Sequence, residues 1–344
     1  MHSNLRKITQ MDNIKIDEVR FFKTKRIWKE LYSTNELLSP YSSFEFAYWY
    51  HRFLHLAPSN ILIRERFFIV KDMNNKPLAI LPFIHRKNRY YLYGDMCSSG
   101  YLDIITRNHL SNEAYDEIFS LLSARIENIT LYFNKINERS NLLPYLLCKT
   151  KEKSFSACVN ISFGENYDEY FESLSKNVRQ NIRTAHNRLN REGLKYDVKV
   201  LLNKKITKAI LKEELNIYVK RAETRVAKGF SVFGKFYIKK LDPITISLAN
   251  MSNNFHSILY IENEIAAFIA GYIKNDGKTI VVPRHAINQK YSLYSPGALL
   301  ISETIKYCIR NSRIRNLDLS RGDEKYKYAM GGKTHYNYSF VISF

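Results

Sequence analysis

The sequence predicts an α+β protein made of two successive units that share one order of elements. In residues 1–160, a helix, a meander of three strands, a second helix and a further strand follow one another. In residues 161–344, helices come first, and three strands, a helix and a last strand follow. Because neighbouring strands joined by short turns usually pair antiparallel, we expect mixed, mostly antiparallel sheets flanked by helices. The predicted boundary between the two domains, 1–160 and 161–344, lies in the charged stretch near residues 150–165.

The elements of the first unit follow from apolar periodicity and from turn residues. We predict a helix over 27–38, an aromatic segment after Pro40, strands in FFIVKD, PLAILPFIHRK and RYYLYGD, a helix over 112–126 and a strand over 129–133. Turns at Asn74-Asn75 and Lys87-Asn88 separate the three strands of the meander.

The second unit repeats this order. Helices are predicted over 171–191, 204–228 and 297–310, and strands over 257–261, 265–274, 279–287 and 316–319. The turn Asn275-Asp276-Gly277 between the second and third of these strands is a strong hairpin signal.

Length and composition restrict the class of protein. The chain has 344 residues, of which 45% are hydrophobic, which is enough for a large core and favours two domains. There is no run of 18 apolar residues, so no transmembrane helix is expected, and the polar N-terminus does not resemble a signal peptide. Four cysteines are scattered without metal-like spacing, which predicts reduced thiols, no metal site and a cytoplasmic protein.

The formal net charge of +20 indicates an anionic partner, such as nucleic acid, an anionic membrane, a phosphorylated cofactor or an acidic carrier protein. The segment SLSKNVRQNIRTAHNRLNREG is predicted to be an amphipathic helix that places Arg179, Arg183 and His186 on one stripe. Such a stripe is either a solvated basic face or a docking surface for an anionic substrate or partner.

The segment KYSLYSPGALLISETIKYCIRN is predicted to present the N-terminus of a helix to a ligand. Ser295, Pro296 and Gly297 lead directly into the helix, with Ala298 in its first turn. Amide groups and the helix dipole make such an end suitable for an anion, and a glycine lets a phosphate approach the backbone. The same three residues are also common in ordinary turns.

The preceding strand, TIVVPRHAI, contains Pro283, which cannot donate a hydrogen bond to a neighbouring strand. We therefore expect an edge or a bulge there, and a bulge can direct backbone amides at a substrate carbonyl. Next to it, His285 is more simply interpreted as a structural residue than as a catalytic base.

A cluster of charges ends the last predicted strand, in the sequence NLDLSRGDEKYKYAMGG. Arg321, Asp323 and Glu324 are expected to form either a structural ion-pair cluster or one wall of a site that holds or deprotonates an amine. Tyr326 is a candidate proton donor to a leaving group, and Lys327 with Arg321 a candidate anion-binding pair.

Taken in order, LNREG, YSPGALL and DLSRGDEKYK resemble the CelD/BcsL-like group of the GNAT N-acetyltransferase superfamily, which is similar in turn to the FemABX tandem-GNAT transferases. The resemblance covers residues 165–340 and extends weakly into the first half, through YSSFEFAYW and KPLAILPF. The usual phosphate-loop pattern of the superfamily is replaced here by LYSPGA.

The resemblance implies a tandem GNAT fold in which an acyl-CoA lies between two splayed strands of the second domain, the first domain being non-catalytic. It implies donor contacts from two segments, with the following residues: Val282, Pro283, Arg284, Tyr294, Ser295, Pro296, Gly297 and Ala298. It also implies direct attack of an amine on the thioester. Asp323 or Glu324 would then orient or deprotonate the amine, and Tyr326 or Tyr294 would protonate the thiolate.

Three functions remain open from the sequence. The first is an acyl-CoA-dependent N-acyltransferase that uses acetyl-CoA or another acyl-CoA, without a metal, on a small amine or an amino sugar for polysaccharide biosynthesis. The second is a Fem-like transferase whose donor is aminoacyl-tRNA or an acyl carrier protein, which the net charge favours. The third is a non-catalytic GNAT-like binding module.

Overall fold

The computed structural model describes residues 14–56, 60–97, 100–107, 110–126, 129–151, 153–225 and 231–343. The strands are β1 (Lys15–Val19), β2 (Arg64–Lys71), β3 (Pro77–Arg86), β4 (Arg89–Leu92), β5 (Ile105–Thr106), β6 (Thr130–Asn137), β7 (Lys153–Ser162), β8 (Tyr196–Leu202), β9 (Asn254–Ile261), β10 (Glu264–Ile273), β11 (Thr279–Ile287), β12 (Asn316–Arg321) and β13 (Gly332–Ser343). The α-helices are α1 (Phe21–Ser33), α2 (Phe44–Leu56), α3 (Asn112–Arg125), α4 (Leu143–Lys149), α5 (Tyr167–Ser173), α6 (Lys176–Arg191), α7 (Lys208–Arg225), α8 (Val232–Phe236), α9 (Pro243–Asn250), α10 (Pro296–Asn311) and α11 (Lys325–Ala329). The predicted α+β class is confirmed.

Within the described residues, all strands belong to one sheet, in the order β1-β2-β3-β4-β6-β13-β7-β12-β11-β10-β9-β8, with β5 beside β3. Two pairs of strands are parallel, β4 with β6 and β11 with β12, and the other pairs are antiparallel. Each half of the chain contributes one parallel pair. The mixed, mostly antiparallel sheet predicted from the sequence is therefore confirmed.

The last strand of each half lies beside the other half. β7 ends the first half but pairs with β12 of the second, and β13 ends the chain but pairs with β6 of the first. The two exchanged strands pair with each other at the centre of the sheet, from Gly332 opposite Ile161 to Phe340 opposite Lys153. The predicted boundary falls within β7, and the division into domains 1–160 and 161–344 stays a prediction.

Helix α10 packs on the sheet of the second half. Leu299, Leu300 and Ile305 are buried in the core cluster that also contains residues of β9, β10 and β11, among them Leu259, Ala267 and Val282. Because the helix is anchored along its length, its N-terminus is held at a fixed place beside the ends of β11 and β12.

Several predicted elements have different limits. The helix predicted over 171–191 is two helices, because Ser175 breaks the run and accepts a hydrogen bond from the Val178 amide at 3.4 Å as the N-cap of α6. The helix predicted over 204–228 is described as Lys208–Arg225, and 226–230 lie outside the described residues. The first helix starts at Phe21 rather than Ile27, and the aromatic segment after Pro40 forms α2.

No helix in the described parts of the chain is both long and apolar enough to cross a membrane.

Candidate active site

The parallel strands β11 and β12 separate partway along their length. They are paired from Thr279 opposite Asn316 to Val281 opposite Asp318. Beyond that point β11 continues beside β10 as far as Ile287, whereas β12, which pairs with β7 from Asn316, continues beside β7 as far as Arg321. A wedge-shaped opening therefore lies between two neighbouring strands of the sheet.

A bulge turns β11 away from β12. The register with β10 shifts so that Ala270 faces Arg284 but Tyr272 faces Val281, which places two residues of β11 opposite Gly271 alone. Pro283 is one of the two, so the predicted bulge is confirmed. Gly271 has no substitute here, because an added Cβ would collide with the carbonyl oxygen of Val281.

The end of β12 is shaped by the buried side chain of Lys327. Its Nζ atom lies within hydrogen-bonding distance, 3.0–3.3 Å, of the carbonyl oxygens of four consecutive residues, 319–322, and 2.9 Å from the carboxylate of Glu324. Ser320 adopts a left-handed backbone conformation, with φ of 56°. The buried Lys327 side chain thus binds the carbonyl groups at the end of β12. This accounts for a charged residue directly after a buried strand.

The opening contains a cavity whose empty space, together with the open solvent at its mouth, is about 1420 Å³. Strand residues that line it include Phe268, His285, Ala286, Ile287 and Leu319; helix and loop residues include Asn181, Arg221, Thr224, Gln289, Ser295, Pro296, Gly297, Ala298, Glu324 and Tyr326. The cavity thus extends from the separated strands to the beginning of α10.

At the N-terminus of α10, Ser295 has φ of 45° and the helix starts at Pro296. The amides of the first turn have no earlier carbonyl in the helix to bind, so they are available to an anion. A Cβ added at Gly297 would lie 3.3 Å from the Cγ2 atom of Ile287, so this part of the cavity is narrow. Backbone amides and a helix dipole therefore border the cavity where the sequence predicted a phosphate site.

Two polar side chains from the separated strand ends meet in the cavity. The Tyr326 hydroxyl lies 2.5 Å from Nε2 of His285, and the Arg221 guanidinium donates to the His285 carbonyl group. His285 was expected to be structural, and its pairing with Tyr326 was missed because the two residues are 41 positions apart. The pair is visible only in the folded chain, where the end of β11 and helix α11, which follows β12, lie side by side.

Glu324 is the carboxylate at the cavity wall. Burial raises its pKa, but the hydrogen bond and positive charge of Lys327, with a contribution from His285, outweigh burial and lower the pKa below its ordinary value. The group is therefore ionised at neutral pH. A carboxylate in this place attracts an ammonium group.

Other candidates from the sequence lie elsewhere. Asp323 and Arg321 are exposed and do not line the cavity. The Tyr294 hydroxyl, also outside the lining, donates to Glu192 at 2.5 Å, and this carboxylate raises the pKa of Tyr294. Lys327 is buried, as described above, and its ammonium is fully engaged with the chain.

Arg284, proposed for the donor, points away from the cavity. Its guanidinium is buried, pairs with Asp242, and lies 2.9 Å from the Tyr218 hydroxyl. Val282 is part of the core between sheet and α10, and Pro283 forms the bulge; neither lines the cavity. These three residues shape the strand, while His285, Ala286 and Ile287 reach the cavity.

The basic stripe of α6 is paired within the chain. Arg179 lies 2.7 Å and Arg183 3.6 Å from the Glu172 carboxylate, and His186 lies 3.5 Å from Glu303. Asn181 and Val178, on another face of the same helix, line the cavity instead.

A second cavity, lined mostly by polar residues, lies where the strands are still paired, between the two halves; its empty space, together with the open solvent at its mouth, is about 650 Å³. Val281 and Asp318, the last paired residues, line it, together with Asp103, Lys274, Arg139 and His335. Asp318 accepts hydrogen bonds from the Tyr101 hydroxyl at 2.6 Å and from the Ser320 amide at 2.8 Å. Two cavities thus border the point at which β11 and β12 part.

Residues 176–328 match a family described as an acetyltransferase (GNAT) domain. Three solved structures share the fold over nearly the whole chain. A structure of FemX has 9% identity and a TM-score of 0.61, with 95% of this chain and 97% of that chain covered. A conserved protein of unknown function from Bacteroides thetaiotaomicron has 13% identity and a TM-score of 0.54, with 95% and 99% covered. The C-terminal domain of a putative lysylphosphatidylglycerol synthetase from Agrobacterium fabrum has 10% identity and a TM-score of 0.53, with 94% and 92% covered.

A search of curated protein sequences found no significant match. The family match and the solved structures confirm the tandem GNAT fold predicted from the sequence.

Proposed function

We propose that the protein is an N-acyltransferase that moves an acyl group from an acyl-CoA, with acetyl-CoA as the first donor to try, to an amine. One observation carries the proposal: the cavity between the separated ends of β11 and β12 continues to the N-terminus of α10. An acyl-CoA has a thioester arm, which can lie along an unpaired strand edge, and a pyrophosphate, which requires an anion site. The match of residues 176–328 to an acetyltransferase family supports the same reaction.

Residues 295–298 are proposed to bind the pyrophosphate, because their backbone lines the cavity at the positive end of the α10 dipole. The pantetheine arm would then lie along β11, beside His285, Ala286 and Ile287. Backbone groups of the bulged strand would polarise the thioester carbonyl.

The chemistry is assigned to three side chains that line the cavity between the separated strands. Glu324, ionised at neutral pH, accepts one proton from the ammonium form of the acceptor and releases it to solvent, so that the nitrogen attacks as a neutral amine. The nitrogen forms the new amide bond as the carbon–sulfur bond breaks, and its remaining excess proton passes to Glu324. Tyr326 gives its proton to the departing thiolate, and His285, 2.5 Å away, replaces that proton and regains one from solvent.

The acceptor's ammonium group is proposed to lie at Glu324 in the first cavity, and the polar cavity between the halves is proposed to receive the rest of the acceptor. Its lining of carboxylate, amide, imidazole and cationic side chains suits a hydroxylated amine such as an amino sugar better than an apolar amine. Membership of the CelD/BcsL-like group and a role in polysaccharide biosynthesis belong to this same proposal.

Thermal unfolding with millimolar acetyl-CoA tests the donor. A ligand at one hundred times its dissociation constant adds about 2.7 kcal/mol to the free energy of unfolding, which is a rise of several degrees in Tm. Gly297→Asp should abolish the rise, because it places a carboxylate in the narrow, anion-binding part of the cavity. Gly164→Asp is the matched control, since a Cβ there meets nothing within 4 Å and the residue does not line the cavity.

Turnover by variants tests the assigned side chains. We expect Tyr326→Phe and His285→Gln each to lower kcat by about tenfold to a thousandfold while acetyl-CoA binding persists. Glu324→Gln should raise KM for the amine as well as lower kcat. Full activity of Glu324→Gln would remove this carboxylate from the mechanism.

A second candidate is a Fem-like transferase that takes its acyl group from aminoacyl-tRNA or from a carrier protein. The net charge of +20 favours a polyanionic donor, whose binding should weaken steeply with salt. If no acyl-CoA stabilises the protein while tRNA binds in a salt-dependent way, this candidate replaces the first.

A further inference from the structure

Two histidines and a glutamate converge on the outer side of the first half, far in sequence from the GNAT family match. His51 and His55 lie four residues apart on α2, so they share one face of the helix, and Glu65 lies on β2. Nδ1 of His51 is 2.8 Å and 2.9 Å from the two carboxylate oxygens of Glu65, and Nε2 of His55 is 3.0 Å from one of them. One nitrogen from each ring and one carboxylate oxygen lie within 4.8 Å of one another.

The surroundings hold two of these side chains in place. The His51 ring stacks on Phe21, with centroids 4.5 Å apart, and meets the edge of Phe22. The buried Tyr93 hydroxyl donates to the Glu65 carboxylate. Metal ligands are commonly oriented by hydrogen bonds of this kind from a second residue. The third side chain, His55, is 63% exposed and is free to adjust.

The donor set favours a transition metal. Two imidazole nitrogens and one carboxylate oxygen suit Zn²⁺ and its neighbours in the first row, whereas Mg²⁺ and Ca²⁺ prefer oxygen alone. Bond lengths of about 2.0–2.2 Å to a tetrahedral Zn²⁺ separate neighbouring ligand atoms by roughly 3.3 Å. The hydrogen-bonded atoms would therefore move apart by a few tenths of an ångström, and the two ring nitrogens, which lie within 4.8 Å of each other, would take up the same spacing, mainly through His55.

We propose that His51, His55 and Glu65 bind one divalent transition-metal ion, with Zn²⁺ as the expected species and a water molecule as the fourth ligand. The ion would link the end of α2 to β2. This site is independent of the proposed acyltransferase site, because it uses other elements and needs no donor.

The experiment uses the full chain, freed of metal with EDTA, and titrates it with Zn²⁺ in a calorimeter and with Co²⁺ in an absorption spectrometer. We expect one ion per chain and, with Co²⁺, visible d–d bands of a four- or five-coordinate site. His55→Ala and Glu65→Gln should each weaken binding by at least tenfold. Saturating Zn²⁺ should raise the Tm of the native sequence by several degrees.

His55→Ala is the decisive variant, because its exposed side chain can be removed without opening the core. His85→Ala is the matched control: this histidine lies on the adjacent β3 and stacks on Tyr90, away from the three ligands. The proposal is supported if His85→Ala binds like the native chain while His55→Ala, equally stable in EDTA, does not. It is overturned if the native chain does not bind Zn²⁺ at 100 µM (about 10⁻⁴ M), or if His55→Ala and His85→Ala bind equally well.

Discussion

Buried charges in the second half have partners within the chain before any substrate arrives. Lys327 binds four carbonyl groups at the end of β12, and Arg284 pairs with Asp242 beneath β11. A buried charge without a partner costs several kcal/mol, so such residues are committed to structure. His285, Glu324 and Tyr326 line the cavity, and they are the residues to which the proposed function assigns chemistry.

Arg284→Ala should therefore destabilise the fold rather than only weaken donor binding. The change leaves the carboxylate of Asp242, which is 2% exposed, buried without its cation, at a cost of about 3–5 kcal/mol. Urea unfolding measures this cost. Lys290→Ala, which breaks the exposed ion pair with Glu264, is the control and should destabilise the protein far less. Equal costs for the two variants would show that the Arg284 pair contributes little.

Asp103, in the polar cavity, should make stability depend on pH. Burial raises its pKa to about 7, despite opposing hydrogen bonds from Ser140 and from the Ile104 amide. The folded state then keeps a proton that the unfolded chain releases near pH 4, so the native protein loses stability as the pH rises from about 4 to 7. Asp103→Asn removes this loss.

The stabilisation by Asp103→Asn should therefore be larger at pH 8 than at pH 5, by about 1–2 kcal/mol. Urea unfolding of both proteins at the two pH values measures the difference. A gain that is the same at both pH values would mean that Asp103 titrates normally in the folded state.

At the scale of elements, the bulge between β10 and β11 creates the opening. Gly271→Ala should disturb it, because the new methyl group collides with the backbone of Val281. We expect a loss of about 1–3 kcal/mol in the free energy of unfolding and a smaller thermal shift with acetyl-CoA. Gly164→Ala, in open space, is the control. If a folded Gly271→Ala variant binds acetyl-CoA like the native chain, the bulge is not required for donor binding.

Elements with a strong periodic signal could be predicted from the sequence, and exchanged strands could not. β11 has the limits that its apolar run predicted, and α10 differs from its prediction by one residue at each end. β7 and β13 were missed because serines, lysines and tyrosines interrupt their apolar pattern. These two strands are stabilised by pairing with each other at the centre of the sheet. Such a pairing depends on the fold of the whole chain and is not visible in a local sequence pattern.

At the scale of the molecule, strand exchange joins the halves. Because β7 completes the sheet of the second half and β13 that of the first, neither half can open without breaking the central pairing. The halves also share core residues, since Tyr272 and Val281 of the second half pack in the cluster that fills the first. One cooperative unfolding transition is expected.

The two tryptophans of the chain make this testable, because both lie in the first half, Trp28 on α1 and Trp49 on α2. Acetyl-CoA bound in the second half should raise the unfolding temperature seen by tryptophan fluorescence as much as that seen by circular dichroism. A fluorescence transition that stays in place while the circular dichroism transition moves would mean that the halves unfold separately.

The candidate site was predictable in part. Gly297 and its neighbours were placed at a helix N-terminus by local sequence, and the cavity reaches them. The Tyr326–His285 pair, the contribution of Arg221 and the structural use of Arg284 and Lys327 depend on contacts across many residues. Local patterns carry no information about such contacts.

Amide hydrogen exchange with and without saturating acetyl-CoA tests the central claim most directly, because it locates the donor on the chain. The proposed function predicts slower exchange in residues 282–301 and 319–330. In residues 64–92, the amides that exchange through local opening should change little. Loss of this protection in Gly297→Asp, but not in Gly164→Asp, would assign it to the proposed site. Unchanged exchange in both segments at saturating acetyl-CoA, or protection confined to the first half, would contradict the proposal.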